Sequence, residues 1–113
     1  MPVDKSLLTG STALLVMKLL EAGDKYGYQM VEELRRRSEN VFELRSGTLY
    51  PLLHTLEQKG WIPSWEETAG STRPRRYYHL TDQGRKQLAE KEEAWHTYAH
   101  AMERILKGGE GYA

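Results

Sequence analysis

Apolar residues recur with the period of an α-helix over the first part of the chain. Residues 12–21 are apolar on almost every side, which is typical of a helix buried on more than one face. Residues 26–37 form a second, amphipathic stretch, and its apolar stripe consists of Gly27, Met30, Val31 and Leu34. The glycine in that stripe would allow a close crossing of two helices. The pattern therefore predicts two helices at the start of the domain.

A third helix is predicted over residues 48–59, after a connector that is anchored by the apolar residues Val41, Phe42 and Leu44. Its buried stripe has the i, i+3, i+4, i+7 spacing of one helical face and consists of Leu49, Leu52, Leu53 and Leu56. Ser46 and Thr48 are alternative N-caps, and Gly60 stands where a left-handed residue would end the helix. Pro51 costs no backbone hydrogen bond if Thr48 is the cap, and one if Ser46 is.

The face of the third helix opposite its leucines carries hydrogen-bonding side chains, with a basic residue just before them: Arg45, Thr48, Tyr50, His54 and Gln58. An ordinary solvated face has the same composition, so the face alone does not decide between solvent and a ligand. Two helices joined by a short connector, the second with a polar outer face, indicate a helix-turn-helix motif.

The apolar pattern becomes extended after Gly60. Residues 61–66 predict a strand that Pro63 restricts to a sheet edge or a bulge, and residues 69–74 predict a turn. Residues 75–80, rich in aromatic side chains, predict the returning strand. The tip and the returning strand of this hairpin carry Arg73, Arg75 and Arg76. Directly after a helix-turn-helix, such a hairpin is interpreted as a wing.

Thr81 is positioned to cap a final helix that runs from Asp82 to about Lys107, roughly 40 Å in length. Steps of three and four residues define an apolar row along it, interrupted by Lys91: Gly84, Leu88, Trp95, Tyr98, Met102 and Ile105. A second copy of the chain would cover this row most economically, which predicts a two-fold homodimer. The fold class expected is mainly α with a small β-hairpin wing, namely a winged helix-turn-helix over residues 1–81 and a dimerisation helix over residues 82–108 in the same compact unit. Residues 109–113 are expected to form a flexible tail.

Composition excludes several classes of function. The 113 residues include 16 basic and 16 acidic side chains, so any surface for a polyanion must be local. The absence of cysteine excludes disulfides, thiolate metal sites and a cysteine nucleophile. No stretch is apolar enough to cross a bilayer and no secretory signal is evident, so a cytoplasmic protein without a membrane partner is expected.

Enzymatic activity is not expected, because no catalytic triad spacing, apolar carboxylate pair or phosphate-binding glycine loop is apparent. His96 and His100 are neighbours on one helical face, and Glu92 or Glu103 could complete a metal site with them. They point away from the apolar row, however, so solvated surface is the preferred interpretation and no metal or cofactor is expected.

Four segments together resemble the PadR family of bacterial transcriptional regulators: KYGY at 25–28, SGTLYPLL at 46–53, LEQKGW at 56–61 and RRYYHLTDQG at 75–84. The similarity covers about residues 7–106, and the GTLYP and YYHLT blocks at this spacing are specific. A single C-terminal helix resembles the short subgroup of the family. The resemblance implies a winged helix-turn-helix homodimer that represses transcription and, in some short members, a pore between subunits that takes flat aromatic compounds. Pro63 departs from the family pattern.

The resulting hypothesis is a regulator that binds double-stranded DNA. Its DNA contacts are expected from the third helix and the wing: Arg45, Ser46, Gly47, Thr48, Tyr50, His54, Arg73, Arg75 and Arg76. The third helix would enter the major groove, and the N–H groups of Ser46 and Gly47 would meet a phosphate. A homodimer would read a palindromic operator with half-sites about 10 base pairs apart. The arginines at 35–37 either complement the helix dipole or contact phosphate.

Two interpretations of Trp95 stay open. It could form half of an aromatic slot for a small planar effector at the dimer interface, or it could only pack against the second copy. The interface residues expected under either interpretation are Leu88, Trp95, Tyr98, Met102 and Ile105. The alternative function is a winged-helix module that contacts other proteins and has no DNA-binding activity.

Overall fold

The computed structural model describes residues 8, 10–68 and 73–108. The described chain contains four long helices: α1 (Thr12–Glu21), α2 (Gly27–Arg37), α3 (Ser46–Gln58) and α4 (Asp82–Leu106). Three short strands complete it: β1 (Lys25–Tyr26), β2 (Ser64–Glu67) and β3 (Arg75–Tyr78). The strands pair antiparallel in the order β1-β3-β2, so β2 and β3 form a hairpin and β1 extends it on the other side. The predicted class, mainly helical with a small β wing, is confirmed.

The core lies among α1, α2, α3, the first turns of α4 and the base of the hairpin. It is built from the apolar stripes that the sequence pattern identifies, and its fully buried side chains are Val16, Met17, Leu20, Met30, Leu49, Leu53, Ile62, Leu80 and Leu88. Of the connector residues, Leu44 is buried and Phe42 packs against the core. Burial of apolar surface at about 25 cal/mol per Å² is the main force that holds these helices together.

Helix α3 begins earlier than predicted. Arg45, in extended conformation, is the N-cap and makes no side-chain capping bond, so neither Ser46 nor Thr48 caps the helix. Pro51 is the sixth helical residue and has no N–H to donate to the carbonyl of Gly47. The predicted start at residue 48 is therefore wrong by two residues, and Pro51 leaves one backbone hydrogen bond inside α3 unmade.

The end of α3 confirms the predicted role of Gly60. Gly60 has φ +81°, donates its N–H to the carbonyl of Glu57, and lets Trp61 donate to Leu56. These two bonds form a Schellman motif, which requires a left-handed residue after the C-cap. The motif turns the chain directly from α3 into the wing.

Helix α4 begins as predicted, because the Thr81 hydroxyl accepts a hydrogen bond from the Gly84 N–H. The first part of its apolar row, however, is covered by the chain itself. Leu88 is 1% exposed, and a Cβ at Gly84 would lie 2.6 Å from both the Trp61 carbonyl oxygen and Leu80. The expectation that Gly84 and Leu88 await a second copy is therefore wrong. The ammonium of Lys91, which interrupts the row, lies 5.9 Å from the centre of the Trp61 ring.

The sequence did not indicate strand β1. Lys25 pairs with Tyr78 and Tyr26 with Tyr77, in a two-residue strand too short to produce an alternating pattern. Pro63 lies just before β2, which is an edge strand as predicted. The carbonyl of Pro63 accepts a hydrogen bond from the N–H of His79. Most of the predicted turn (residues 69–72) and the tail (residues 109–113) lie outside the described residues. No helix in the described part of the chain is long and apolar enough to span a membrane.

Candidate nucleic-acid interface

Helix α3 presents its polar face to solvent along most of its length. Leu49, Leu53 and Leu56 are buried on one side, and the opposite side exposes Thr48, Tyr50, His54 and Gln58. The sequence predicted both faces correctly, because each residue's direction follows from the helical period. The exposed face carries hydrogen-bond donors and acceptors that could reach base edges in a major groove.

The N-terminus of α3 is open. Arg45 is exposed and makes a surface ion pair with Glu43 at 3.3 Å. Thr48 and Leu49 donate their N–H groups to the Arg45 carbonyl, whereas those of Ser46 and Gly47 have no acceptor in the described chain. A Cβ at Gly47 would meet no atom within 4 Å. Free N–H groups, the helix dipole and an exposed guanidinium together favour an anion such as a phosphate.

Tyr50 lies against the first turn of α2. A Cβ on Gly27 would stand 2.9 Å from the ring carbon Cζ of Tyr50, so only a glycine leaves room for this ring. The nearest atoms to this position belong to a side chain of α3, whereas the sequence predicted a close crossing of two helices. Tyr50 remains 51% exposed, and it joins the polar face of α3 to the N-terminus of α2.

The wing has two distinct faces. Ser64, Trp65, Glu66 and Glu67 pair with Tyr78, Tyr77, Arg76 and Arg75 respectively. Since successive side chains of a strand point to opposite faces, Arg75 and Arg76 lie on opposite sides of the hairpin. We call the side with Ser64, Glu66, Arg76 and Tyr78 the inner face, and the side with Trp65, Glu67, Arg75 and Tyr77 the outer face. The two arginines grouped together in the sequence analysis therefore have different surroundings.

The outer face carries a row of aromatic rings. The Tyr77 ring meets Tyr26 edge-on, with 5.3 Å between centroids, and stacks with Trp65 at 5.9 Å. The Arg75 guanidinium lies 4.7 Å from the centre of the Tyr26 ring and is exposed. The sequence analysis missed Tyr26, although its neighbour Gly27 was singled out. Arg75 is thus held over an aromatic ring with its charge open to solvent.

The inner face connects the wing to α3. Arg76 donates to the Ser64 hydroxyl at 2.8 Å and to the Glu66 carboxylate at 3.2 Å. The Ser64 hydroxyl in turn donates to the carboxylate of Glu57, in the last turn of α3. Burial raises the pKa of Tyr78, which lies on the same face, and the negative charge of Glu57 raises that pKa further. Glu57 is a functional candidate that local sequence patterns do not indicate, because its hydrogen-bond partner Ser64 is seven residues away on β2.

The other basic residues predicted to meet phosphate are surface residues with varied partners. Arg73 is exposed at the described end of the wing. In α2, Arg35 pairs with Glu32 at 2.8 Å, and Arg36 pairs with Glu33 at 2.7 Å. The hydrogen bond from Arg36 lowers the pKa of Glu33. These two arginines are therefore already engaged by carboxylates one turn earlier.

The second half of α4 exposes apolar side chains. Trp95, Tyr98, Met102 and Ile105 are between 41% and 76% exposed, and Leu106 adds to them. A groove of about 500 Å³ between the start of α1 and α4 is lined by Trp95, Tyr98, Leu14 and Ala13 among others. Four of the five predicted interface residues thus form an exposed surface, and the fifth, Leu88, belongs to the core.

His96 and His100 lie on the exposed surface of α4, and the His96 ring packs edge-on against Trp95 at 5.3 Å. Among the residues that the structure describes, no three histidine, aspartate or glutamate side chains are grouped so that they could hold a metal ion.

Comparison with known proteins identifies the class of this fold. The family model described as "Transcriptional regulator PadR-like family" matches residues 16–90, which span α1 through the first turns of α4. The match includes α2, α3 and the wing, whose geometry is described above. The chain therefore belongs to the PadR-like family of transcriptional regulators.

Individual relatives agree. The transcriptional regulator Rv3488 of Mycobacterium tuberculosis is 34% identical over 87 residues, which are 77% of this chain and 74% of that protein. The crystal structure of a PadR family transcriptional regulator from Eggerthella lenta has 32% identity and a TM-score of 0.81, and the match covers 92% of this chain and 88% of that one. A transcriptional regulator from Clostridium thermocellum has 25% identity and a TM-score of 0.82, covering 90% and 96%.

Proposed function

We propose that this transcriptional regulator binds DNA sequence-specifically, as a homodimer on a palindromic operator, and represses transcription. The observation that carries the proposal is the exposed polar face of α3, open at its N-terminus and flanked by the wing. Thr48 and His54 would lie near base edges, and Ser46 and Gly47 near a phosphate. The relatives described as transcriptional regulators support this function rather than an enzymatic one.

The two proposed DNA-binding elements make different contributions. Helix α3 presents the side chains that could distinguish bases, whereas Arg75 on the outer face of the wing offers a charge to the DNA backbone. Phosphate contacts release counterions, so affinity is expected to fall as salt is raised, by about 0.9 log units per log unit of salt for each contact. A chain of zero net charge can behave in this way because the basic groups are local.

The test is fluorescence anisotropy with DNA from upstream of the regulator's own gene, a shuffled duplex of equal composition, and a salt series. Preferential binding to the upstream DNA that weakens with salt is expected. His54→Ala should weaken it about tenfold, as loss of a good base contact does. The matched control is His100→Ala, which removes the same side chain from an exposed position of α4. Absence of binding to either duplex at low salt would contradict the proposal and favour the protein-interaction module.

The homodimer is proposed from the exposed apolar half of α4. Trp95, Tyr98, Met102 and Ile105 follow steps of three and four residues, so they lie along one side of the helix. A contiguous exposed apolar surface of this kind marks an interaction site. A two-fold dimer would place two copies of α3 for the two halves of a palindrome.

Release by a small planar aromatic effector is the finer part of the proposal. The groove of about 500 Å³ beside Trp95 supports it, since the indole ring offers a stacking surface. Such a compound should quench the tryptophan fluorescence of the wild type and of Trp65→Phe. The quenching should be absent in Trp95→Phe, in which Trp61 and Trp65 remain. An effector can shift the dimer only if its affinity differs between two arrangements.

A further inference from the structure

The inner face of the wing holds a chain of hydrogen bonds that runs from the hairpin to α3. Arg76 on β3 donates to Ser64 on β2 at 2.8 Å, and Ser64 donates to Glu57 in the last turn of α3. The Ser64 hydroxyl has one proton to donate and lone pairs to accept with, so it serves both neighbours at once. A direct contact between Arg76 and Glu57 is not needed to join the three elements.

This hydrogen-bond chain bridges the turn that joins α3 to β2. The backbone there is already defined by the Schellman motif at Gly60 and by the bond from Trp61 to Leu56. The hydrogen-bond chain adds a second attachment between the wing and α3, made by side chains and located beyond that turn. The pairing of β3 with β1 and the burial of Tyr78 also hold the base of the hairpin. The hydrogen-bond chain adds a direct link from the hairpin to α3, which further restricts the angle between them.

Arg76 is poorly placed for a role as a free phosphate contact. Two of its guanidinium nitrogens are engaged, one by Ser64 and one by the Glu66 carboxylate at 3.2 Å. Arg75, its neighbour on the strand, lies on the outer face with its charge over Tyr26. Because successive side chains of a strand alternate in direction, Arg75 and Arg76 leave the hairpin on opposite faces. The Arg76 side chain is 48% exposed, and its guanidinium is held by two hydrogen bonds within the hairpin.

We propose that Arg76, acting through Ser64 on Glu57, is a positioning residue that sets the wing at the angle the DNA-bound α3 requires. The inference rests on the proposed function for its effect on DNA, but the link between the wing and α3 is a property of the free protein. Removal of any of the three residues then loosens the wing and weakens DNA binding without removing a phosphate contact.

The test compares three variants with the wild type: Arg76→Ala, Ser64→Ala and Glu57→Ala. Each should weaken operator binding about fivefold, and the double variant Glu57→Ala/Arg76→Ala should be no weaker than about tenfold, since coupled residues are not additive. The salt dependence should keep the wild-type slope in all of them. Ser64→Thr, which retains the hydroxyl, should restore most of the affinity.

Two control variants separate this role from the alternatives. Arg75→Ala should lower the slope of log affinity against log salt by about 0.9, as loss of one phosphate contact does. Glu66→Gln removes only the exposed ion pair within the hairpin and should change affinity less than twofold. If Arg76→Ala lowers the salt slope while Glu57→Ala leaves or raises affinity, Arg76 contacts phosphate and the inference is overturned.

A measurement on the free protein keeps this result distinct from a failure of the proposed function. Urea unfolding of the four members of the Glu57/Arg76 double-mutant cycle should show coupling, with a midpoint shift in the double variant smaller than the sum of the single shifts. Additive shifts would overturn the link whether or not the protein binds DNA. Coupled shifts in a protein that binds no duplex would support the link and reject the DNA-binding function alone.

Discussion

At the residue scale, a few positions have conformations or surroundings that no other residue type would tolerate equally. Gly60 occupies the left-handed region at the end of α3, and Tyr78 places a hydroxyl-bearing ring in the core beside Glu57. The period of the sequence located both residues, one as a helix stop and the other in a strand. It could not show what Tyr78 faces, since Glu57 lies twenty-one residues earlier in the chain.

Gly60→Ala is expected to destabilise the protein by about 1 kcal/mol, because an L-residue pays for a positive φ. The cost is conformational rather than steric, since a Cβ there would meet only Gln83 Oε1, at 3.8 Å. Gly60→Asn should recover part of the loss, as asparagine tolerates the left-handed region better. Urea unfolding of the three proteins checks this. Equal stability of the alanine variant and the wild type would show that the Schellman motif is not required.

Tyr78 is expected to make the protein less stable at high pH. Its pKa in the folded protein is raised by burial, so the unfolded chain loses the phenolic proton first. The stability that comes from burying the neutral phenol of Tyr78 is therefore complete below the unfolded-state pKa near 10. As pH rises above that value, this stability is lost at up to about 1.4 kcal/mol per pH unit. Tyr78→Phe should show a shallower loss of the urea midpoint between pH 9 and 11. Tyr28→Phe, at an exposed position, is the control and should follow the wild type.

At the element scale, the candidate interface depends on how α2, α3 and the wing are placed against one another. Helix α3 meets the first turn of α2 through Tyr50 and Gly27, and it meets the wing through Glu57 and Ser64. Each contact joins residues from different elements. The pattern along one element predicts which face is polar, but it does not predict which neighbour holds that face in position.

Gly27→Ala is expected to leave stability nearly unchanged and to weaken DNA binding. The added methyl group would collide with the end of the Tyr50 ring, which is half exposed and can move outward. Alanine suits the first turn of a helix, so the cost in free energy of unfolding should stay below about 1 kcal/mol. Operator affinity should fall several-fold as Tyr50 leaves its place. The measurements are thermal unfolding and anisotropy with the operator.

The double variant Gly27→Ala/Tyr50→Ala supplies the control for that experiment. If Gly27 acts only by seating Tyr50, the double variant should bind DNA as Tyr50→Ala alone does. A further loss on adding Gly27→Ala to Tyr50→Ala would mean that the glycine contributes through its own backbone.

At the scale of the whole molecule, α4 combines two environments. Its first turns pack on the core through Gly84 and Leu88, and Lys18 of α1 reaches Glu92 at 3.5 Å. Its last turns expose Tyr98, Met102 and Ile105. A helix of 25 residues is about 37 Å long, which exceeds the span of the core that it covers. The proposed second copy would cover the remainder.

Met102→Glu is expected to weaken the proposed dimer more than tenfold, because an unpaired carboxylate would be buried against an apolar partner. His100→Glu introduces the same group two residues away, about 200° around the helix, and should leave the dimer intact. Sedimentation equilibrium over a range of protein concentrations measures both. Wild-type protein that sediments as a monomer at every concentration would reject the dimer itself.

The sequence by itself determined the helices, the hairpin and the two faces of α3, because helical and extended periods assign each side chain a direction from its own neighbours. It also determined the helix stop at Gly60 and the cap at Thr81, which depend on local conformation. The tertiary structure decided which surfaces the chain covers itself. Leu88 has the spacing of an exposed row, yet α4 crosses the core at that turn and buries it.

The tertiary structure also divided the wing arginines. Arg75 and Arg76 are adjacent and chemically identical in the sequence, and only the register of the hairpin shows that one faces Tyr26 and the other faces Ser64. Their partners come from β1 and β2, and through Ser64 from α3. Contacts between distant segments arise when the whole chain packs, so the roles of these two residues could not be derived from local pattern.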